Sequence, residues 1–351
     1  MTNLNDEGDG YMKKAIFYGK NDIRIEDSEI PTISSDEVLI KIMACGVCGT
    51  DVHIFEGAKG AAECEPPKVL GHEFSGIIEA VGANSTVFKK GDRVCVDPNT
   101  LCGTCYYCHS GIGHFCENMI GIGTTIDGGF AQYCAINRKQ VHRIADSTTF
   151  EQGAMAEPLA CCLHGIDLCN IKPGSIVVVI GGGMIGLITL QLAMLAGASR
   201  VALIEPVAEK RSMALKLGAT LCIDPNNEDV LTVLRNNNMS RVEVAIECVG
   251  LPQTMKLAID IAGKKSTVMM FGLTKPDEEI AIKPFDIFRK EIELKASFIN
   301  PYTMERAVEL INSNRIDVVS MQCEPIPLEK LLDVLKDADM RKKGKYLVKP
   351  N

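Results

Sequence analysis

Two short segments in the first quarter of the chain carry residue types that bind transition metals. One begins at Cys48 and ends at His53, and the other joins His72 to Glu73. A zinc ion held by cysteine, histidine and carboxylate ligands leaves one position open for substrate or water. Such an ion lowers the pKa of a hydroxyl group that binds there, so that an alkoxide forms near neutral pH and can release hydride. Each segment taken alone is also what an ordinary turn contains, so the hypothesis of a catalytic zinc depends on the rest of the chain.

Four closely spaced cysteines indicate a second metal site of a different kind. Cys102, Cys105, Cys108 and Cys116 follow the pattern C-x2-C-x2-C-x7-C. Four thiolates surround one zinc ion tetrahedrally and leave no open position, so such a site stabilises a loop and does no chemistry. The bacterial iron–sulfur pattern spaces its last cysteine differently, and disulfides or idle thiols are the remaining alternative. We predict a structural zinc lobe over about residues 98–118.

A glycine-rich segment has the pattern of a dinucleotide-binding turn. It lies between an apolar run typical of a buried strand and a run typical of a helix, and reads Gly181-Gly182-Gly183-Met184-Ile185-Gly186. Glycine lets the backbone turn tightly and approach a pyrophosphate, whose charge then faces the N-terminus of the helix. Without its strand and helix, the pattern would be an ordinary turn.

The coenzyme preference follows from residues after the next predicted strand. Glu205 lies where a carboxylate accepts hydrogen bonds from the adenosine ribose and repels a 2′-phosphate, which favours NAD over NADP. Lys210, which we also assign to the coenzyme site, and Arg211 follow closely. These two cations leave the choice between the coenzymes open.

The elements that must position these residues fall into two groups, as a chain of 351 residues allows. Short strands and frequent turns from residue 12 to about 155 predict a mostly β domain. Alternating strands and helices then predict a parallel sheet, so the fold class is α/β. The predicted strands are 175–180, 200–204, 242–248, 266–271 and 292–298, and the predicted helices are 184–196 and 208–217. Helical segments at 304–312 and 328–335 and a strand at 345–348 complete the chain.

Composition limits the possible partners and compartment. A net charge of −8 disfavours nucleic acid and anionic membranes, since both need a basic face. The uncharged stretch from Ser175 to Ser199 is interrupted by glycines and fits a strand and a helix better than a membrane span. Residues 1–11 are polar, without an apolar signal region, and we expect them to form a disordered extension. Fifteen cysteines without a secretory signal favour metal or catalytic chemistry over disulfides. They also favour a cytoplasmic location, where thiols stay reduced.

Taken together, these segments resemble the zinc-containing medium-chain dehydrogenase family. The resemblance runs in order from about residue 12 to the C-terminus and rests on the Gly-His-Glu-Phe-Ser-Gly run at 71–76, the Cys-Gly-Val-Cys-Gly-Thr-Asp-Val-His run at 45–53, the cysteine lobe and the glycine turn. It implies a GroES-like catalytic domain over residues 12–160 and 299–351, with a Rossmann domain, 161–298, inserted between. It also implies a homo-oligomer, a tetramer or dimer formed through the Rossmann domains.

The same resemblance implies a ligand set for the catalytic zinc. Cys48, which directly precedes Gly-Thr-Asp, matches the first ligand and His72 the second. The chain resembles the polyol and threonine dehydrogenase branch, where Glu73 and the Glu157 of an Ala-Glu-Pro-Leu segment serve as ligands or exchange with water. For Glu157 the alternative is a helix N-cap before Pro158.

The resemblance further implies a proton relay beside this zinc. Thr50 would take the proton of the alcohol and pass it by way of the coenzyme ribose to His53 near solvent. Imidazole suits the outer position because it titrates near neutral pH, although an ordinary exposed histidine is the alternative. Asp51 is expected to hydrogen-bond His72 and fix its tautomer, and Lys345 is expected to be a surface cation.

A sugar alcohol is the substrate that the branch implies. A run at 298–302, Phe-Ile-Asn-Pro-Tyr, resembles segments of bacterial sugar-alcohol enzymes. The better-known sorbitol enzymes carry a tyrosine and an arginine where this chain has Ile54 and Ile299, and the missing polar contacts count against sorbitol itself. Threonine 3-dehydrogenase and 2,3-butanediol dehydrogenase activities are the alternatives. A reductase or structural protein of the same fold, without alcohol chemistry, is a more remote one.

Overall fold

The computed structural model describes residues 10–58 and 64–351 of the chain. Its strands are β1 Tyr11–Gly19, β2 Asp22–Glu29, β3 Glu37–Gly46, β4 Lys68–Val69, β5 Glu73–Val81, β6 Arg93–Val96, β7 Asn99–Thr100, β8 Ile120–Gly121, β9 Tyr133–Asn137, β10 Val141–Arg143, β11 Ile176–Ile180, β12 Arg200–Ile204, β13 Leu221–Ile223, β14 Val244–Glu247, β15 Thr267–Met270, β16 Glu293–Ala296, β17 Ile326–Pro327 and β18 Leu347–Lys349.

The α-helices are α1 Gly49–Phe55, α2 Tyr106–His109, α3 Phe150–Ala154, α4 Ala156–Cys169, α5 Met184–Leu195, α6 Ala208–Lys216, α7 Val230–Asn236, α8 Pro252–Ile261, α9 Pro284–Lys290, α10 Met304–Asn312, α11 Leu331–Lys336 and α12 Ala338–Lys343. Three short 3₁₀ helices span Gly113–Phe115, Arg138–Gln140 and Leu328–Lys330. Within the described ranges, no helix has the length and apolar character needed to cross a bilayer.

The chain divides into two compact units. The first comprises Met1–Glu157, Ile311–Ser313 and Gln322–Asn351, and the second comprises Pro158–Leu310 and Asn314–Met321. The first unit is therefore built from both ends of the chain, and the second is inserted between them.

The first unit is a β structure around one apolar core. Its larger sheet has the order β10-β6-β5-β3-β18-β17, with β9 also paired to β3, and a smaller sheet has the order β2-β1-β4. Fully buried side chains fill the space between, including Phe55, Phe74, Phe130 and Ile40. Antiparallel pairing aligns Gly46 of β3 with Glu73 of β5 on one side and with Leu347 of β18 on the other. This register brings the start of β5 and the C-terminal strand to the end of β3.

The second unit is an α/β structure with a six-stranded parallel sheet. The strand order is β13-β12-β11-β14-β15-β16. Successive strands are added to one side of β11 up to β13 and to its other side from β14 onward. Numbered from β11, this is the order 3-2-1-4-5-6 of a Rossmann fold, which binds dinucleotides beyond the carboxyl ends of the strands at that change of side. All residues of β11 are buried, because a central parallel strand is covered on both faces. The predicted parallel sheet is confirmed.

Several boundaries differ from those predicted from the sequence. Tyr11 belongs to β1 and pairs with Glu29, so the disordered extension expected over residues 1–11 does not include Tyr11. Residues 1–9 of that extension lie outside the described part of the chain. The first unit ends at Glu157 instead of residue 160 and resumes at Ile311 instead of residue 299. The later return has a local reason, because the Thr303 hydroxyl just before α10 donates to Ala160 O in the second unit at 2.7 Å.

Candidate active site

Three of the expected ligands of the catalytic zinc lie together in the first unit. Cys48, His72 and Glu73 each offer one donor atom, and these atoms all lie within 4.8 Å of one another. Cys48 is the N-cap of α1, His72 directly precedes β5, and Glu73 is the first residue of β5. A thiolate, an imidazole and a carboxylate at this spacing fit a zinc ion and leave a fourth position for another group.

Glu157 is placed differently from these three residues. Its side chain is buried, but it is not among the donors that lie within this distance. It is the second residue of α4 and so belongs to the first helical turn, which differs from the N-cap position considered as the alternative. Its assignment as a ligand stays a prediction.

Asp51 joins the two segments that supply the donor atoms. Its fully buried carboxylate accepts a hydrogen bond from Cys48 N at 2.8 Å and another from Gly71 N at 3.2 Å. The same carboxylate lies 3.5 Å from Nδ1 of His72, a separation too long for a full hydrogen bond. Asp51 therefore fixes the backbone on both sides of the cluster as well as facing the imidazole, and sequence reasoning had assigned it only the second role.

Lys345 corrects a prediction, because it is a buried partner of Glu73 and is not a surface cation. Its Nζ pairs with Oε2 of Glu73, and both residues are almost completely buried, with 5% and 1% of their surface exposed. Gly46 makes the room for this pair, since a Cβ there would lie 2.2 Å from Oε2 of Glu73 and 2.9 Å from Cε of Lys345. Alternation with Leu347, buried two residues later in the same extended segment, was the signal that could have placed Lys345 inside.

The charges of the cluster change the pKa values of its members. Burial by itself would lower the pKa of His72, but the neighbouring Asp51 carboxylate and Cys48 sulfur raise it well above its ordinary value. Burial would likewise lower the pKa of Lys345, and the charges of Glu73, Cys48 and Asp51 outweigh it and raise that pKa. Without a metal the imidazole therefore favours its protonated form, and metal binding must release that proton.

The two residues of the predicted relay lie on helix α1, directly after Cys48. Thr50 and His53 are both half-buried. They are three positions apart, so they lie on the same face of the helix. The structure thus places both side chains on the helix whose N-cap residue, Cys48, belongs to the metal-donor cluster.

The four cysteines of the predicted lobe also come together. The sulfur atoms of Cys102, Cys105, Cys108 and Cys116 lie within 4.8 Å of one another. None of the fifteen cysteines forms a disulfide. Hydrogen bonds from the Thr104 hydroxyl and amide lower the pKa of Cys102 to about 5, whereas burial raises the pKa of Cys108 to about 12. A closed tetrahedral thiolate set fits a structural zinc ion.

The glycine-rich turn lies in the second unit between β11 and α5, as predicted. Gly181 adopts φ +100°, and a Cβ on Gly186 would lie 1.9 Å from Gly181 O, so the turn tolerates no side chain at either position. Gly183 is the N-cap of α5, and Met184 and Ile185 begin the helix, half-buried. The backbone amides of this first turn have no partner within the helix, and folds of this kind bind a pyrophosphate at such a turn.

The predicted ribose-binding carboxylate is tied to this turn. Glu205 directly follows β12 and is 5% exposed. Its Oε2 accepts from Gly182 N at 2.6 Å and its Oε1 from Val207 N at 2.9 Å. Lys210 lies half-buried in the first turn of α6.

Comparison with known proteins assigns the family. Residues 34–146 match the model of the alcohol dehydrogenase GroES-like domain, and residues 184–313 match that of the zinc-binding dehydrogenases. D-arabinitol dehydrogenase 1 of Uromyces fabae is 34% identical over 96% of this chain and 97% of its own. Sorbitol dehydrogenase of Bacillus subtilis is 32% identical over 97% of this chain and 98% of its own.

A solved structure agrees over nearly the whole length. A zinc-binding dehydrogenase of Sinorhizobium meliloti, crystallised with NADP, is 38% identical with a TM-score of 0.94 and covers 97% of this chain and 100% of its own. The first unit is thus a GroES-like domain and the second a Rossmann domain. The chain belongs to the zinc-dependent medium-chain alcohol dehydrogenases, in the branch of the polyol dehydrogenases, and is an oxidoreductase that uses a nicotinamide coenzyme.

Proposed function

We propose that this enzyme transfers hydride between a secondary hydroxyl group of a sugar alcohol and NAD, with one catalytic and one structural zinc ion per chain. The cluster of Cys48, His72 and Glu73 carries the proposal, because these donors within 4.8 Å suit a zinc site with an open position. Zinc in such a site lowers the pKa of a substrate hydroxyl, and the nicotinamide ring accepts the hydride. The structural ion is assigned to Cys102, Cys105, Cys108 and Cys116.

The ligands of the catalytic ion are proposed to be Cys48, His72 and Glu73, with Glu157 joining or exchanging in the set. The Glu73 carboxylate has two cationic partners in this proposal, the zinc ion and Lys345, which pairs with its Oε2. Asp51 supports the arrangement by holding Cys48 and the residue before His72 through their backbone amides. A carboxylate facing the imidazole also favours the neutral tautomer that presents its other nitrogen to a metal.

Thr50 and His53 are proposed to move the proton of the substrate hydroxyl. The Thr50 hydroxyl accepts that proton as it releases its own along the relay, and His53, on the same face of α1, takes up the released proton and delivers it towards water. Both side chains are half-buried, so each borders the interior as well as solvent, as a proton path between the two requires. We expect His53→Ala to slow turnover most at low pH, and imidazole added to the buffer to restore part of the rate.

The coenzyme is proposed to be NAD, bound at Gly181, Gly183, Met184, Ile185 and Gly186. The two backbone amides that fix Glu205 leave each of its oxygens a further lone pair for a ribose hydroxyl. A carboxylate held there disfavours the 2′-phosphate of NADP. The NADP in the Sinorhizobium structure belongs to a relative, so both coenzymes must be compared directly.

Sugar alcohols are the proposed substrates because the relatives named for arabinitol and sorbitol match nearly the whole chain. Ile54 is buried in the core of the first unit and offers no polar group to a substrate. Ile299 adopts φ +47°, an unusual conformation for a β-branched residue, and such strained positions cluster at functional sites. L-threonine and 2,3-butanediol are the alternatives, supported by an L-threonine 3-dehydrogenase and a butanediol dehydrogenase among the similar proteins.

The decisive experiment is a substrate panel of arabinitol, sorbitol, xylitol, galactitol, 2,3-butanediol and threonine, followed by NADH absorbance, with NADP run beside NAD. Cys48→Ser and His72→Ala should abolish turnover while NADH still binds. Cys64→Ser is the matched control, since this half-exposed cysteine lies outside both donor clusters. Full activity in either ligand variant would refute the proposed zinc site.

Metal counting separates this proposal from a coenzyme-binding protein of the same fold without alcohol chemistry. Two zinc ions per chain by mass spectrometry, falling to one in His72→Ala, support the dehydrogenase. One ion that is unaffected by His72→Ala and lost with the four cysteines would support the alternative.

The oligomer is proposed to be a dimer or tetramer formed through the Rossmann domain. Strand β16 is the edge of its sheet, Leu294 on it is exposed, and Phe285 and Phe288 of the preceding helix are 65% and 77% exposed. Antiparallel pairing of two copies about Leu294 would place Glu293 of one opposite Lys295 of the other. Leu294→Asp should shift the sedimentation coefficient to that of a smaller species, whereas Tyr106→Ser, at an exposed aromatic residue of the cysteine lobe, should not.

The compartment is proposed to be the cytoplasm, because fifteen cysteines without a disulfide suit a reducing environment.

A further inference from the structure

Two carboxylates lie side by side at the carboxyl edge of the Rossmann sheet. Strands β12 and β13 are parallel with Ile204 aligned to Ile223, and Glu205 N donates to Ile223 O at 3.0 Å. The residues that follow the two strands, Glu205 and Asp224, therefore leave the sheet next to each other. This edge is where the adenosine end of a dinucleotide lies in the fold.

An arginine connects the two strand ends. Arg211, in the first turns of α6, donates from Nη1 to the backbone oxygen of Glu205 at 2.8 Å. Its Nη2 lies 3.2 Å from Oδ2 of Asp224, and the two side chains are only 21% and 14% exposed. The guanidinium is therefore engaged by a carbonyl on one side and a carboxylate on the other.

Asp224 is itself held in place by its own loop. Oδ1 accepts from Asn226 N at 3.0 Å, and Oδ2 accepts from Nδ2 of Asn227 at 3.1 Å. These bonds, together with the nearby Arg211 charge, keep the pKa of Asp224 below its ordinary value. The carboxylate is thus charged and fixed before any coenzyme arrives.

We propose that Asp224 determines the coenzyme preference by holding Arg211 in a neutralised pair. Arginine recognises a phosphate by directing a fork of donors at it, and an arginine whose donors are taken by Glu205 O and Asp224 is not available for that role. A 2′-phosphate at this edge would instead meet the carboxylates of Glu205 and Asp224. The inference rests on the proposed function, because it requires that the coenzyme binds at the glycine-rich turn.

The test compares the dissociation constants of NADH and NADPH by isothermal titration calorimetry on the zinc-loaded chain. Asp224→Asn keeps the shape of the side chain and removes its charge. We expect it to tighten NADPH binding about tenfold, the value of one charge-assisted hydrogen bond, and to change NADH binding less than about twofold. Adding Arg211→Met to Asp224→Asn should abolish the gain, because the released guanidinium is its source.

A matched control removes one negative charge elsewhere in the same unit. Asp260 pairs with Lys256 on α8, a helix that packs on the strands β14 and β15. Asp260→Asn should leave both dissociation constants unchanged, and an equal gain in NADPH binding there would reduce the effect to net charge and overturn the proposal.

The remaining outcomes distinguish the inference from the function on which it rests. A wild-type chain that prefers NADH, with NADPH binding unaltered by Asp224→Asn, would overturn the role of Asp224 and leave NAD as coenzyme. A gain that survives Arg211→Met but is lost in Lys210→Met would also overturn it, by assigning the phosphate to Lys210. A wild-type chain that prefers NADPH would overturn the proposed coenzyme and this inference with it.

Discussion

Replacing Lys345 by methionine should destabilise the GroES-like domain much more in the metal-free protein than in the zinc-loaded protein. Methionine keeps the unbranched stem of lysine and removes the charge, so the packing changes little. Glu73 is 1% exposed and its Oε2 faces Lys345, so the variant leaves a buried carboxylate without its cation. Breaking a buried ion pair by removing one partner costs about 3–5 kcal/mol.

The expected size of the thermal shift follows from this cost. In a domain of roughly 150–250 residues, 1 kcal/mol corresponds to about 2–4 °C in the unfolding midpoint, so the metal-free variant should unfold about 6–20 °C below the wild type.

A bound zinc ion reduces the cost of losing Lys345. With the ion bound, the Cys48 thiolate, Glu73 and Asp51 face Lys345 and a doubly charged zinc, so the charges sum to zero. Without Lys345, Glu73 of the loaded site still faces the zinc ion, whereas in the metal-free site the protonated His72 is engaged by Asp51 and Cys48, so Glu73 has no cation of its own.

Differential scanning calorimetry of chelator-treated and zinc-reloaded protein measures both shifts. Lys349→Met is the matched control, because Lys349 pairs with Glu151 in the same segment but its side chain is 46% exposed. A surface pair contributes at most about 1 kcal/mol, so this variant should hardly shift. The double variant Lys345→Met/Glu73→Gln, which removes both charges, should recover most of the lost stability. A metal-free Lys345→Met protein that unfolds within about 2 °C of the wild type would refute the reasoning.

Two further predictions concern the glycine turn and the cysteine lobe. Gly186→Ala should weaken NADH binding at least about tenfold, because the new Cβ would lie 1.9 Å from Gly181 O and displace the turn, while zinc content stays unchanged. A Cβ at Gly183 would meet nothing within 4 Å, so Gly183→Ala should leave the unfolding temperature unchanged. Isothermal titration calorimetry should show weaker NADH binding only as far as the new methyl group crowds the pyrophosphate. In zinc-stripped protein, Cys102 should react with iodoacetamide half-maximally near pH 5, because its lowered pKa keeps the thiolate down to that pH. Thr104→Val should move this midpoint upward. Cys108, with its pKa raised to about 12, should react slowly at pH 7. Peptide mass spectrometry should find that zinc protects all four cysteines from the reagent.

Sequence patterns that are local in the chain predicted the fold class and the clusters of donor atoms. The cysteine lobe and the glycine turn each lie within one short stretch, so their spacing already restricts what they can bind. The helix at 304–312 was placed as the structure has it, because its apolar residues recur at helical spacing. The strand at 200–204 was also placed as the structure has it, because it is an apolar run of strand length. The short strand β13 and the helices α7 and α9 were missed, since brief or polar segments carry little periodicity. Helix α8 was missed although Met255, Ala258 and Ile259 recur at helical spacing on its buried face.

What the sequence by itself determined was which residue types could hold a metal and a dinucleotide, because ligand chemistry follows from side-chain identity and close spacing. Only the tertiary structure decided what surrounds them, because those neighbours are distant in the chain. Lys345 reaches Glu73 across 272 positions through the pairing of β18 with β3, and no local pattern encodes that approach. Parallel pairing of β12 and β13 likewise sets Asp224 beside Glu205 with Arg211 between them. Strand register, which depends on burial of whole sheet faces, is therefore what turns a list of ligand types into a site with a defined charge.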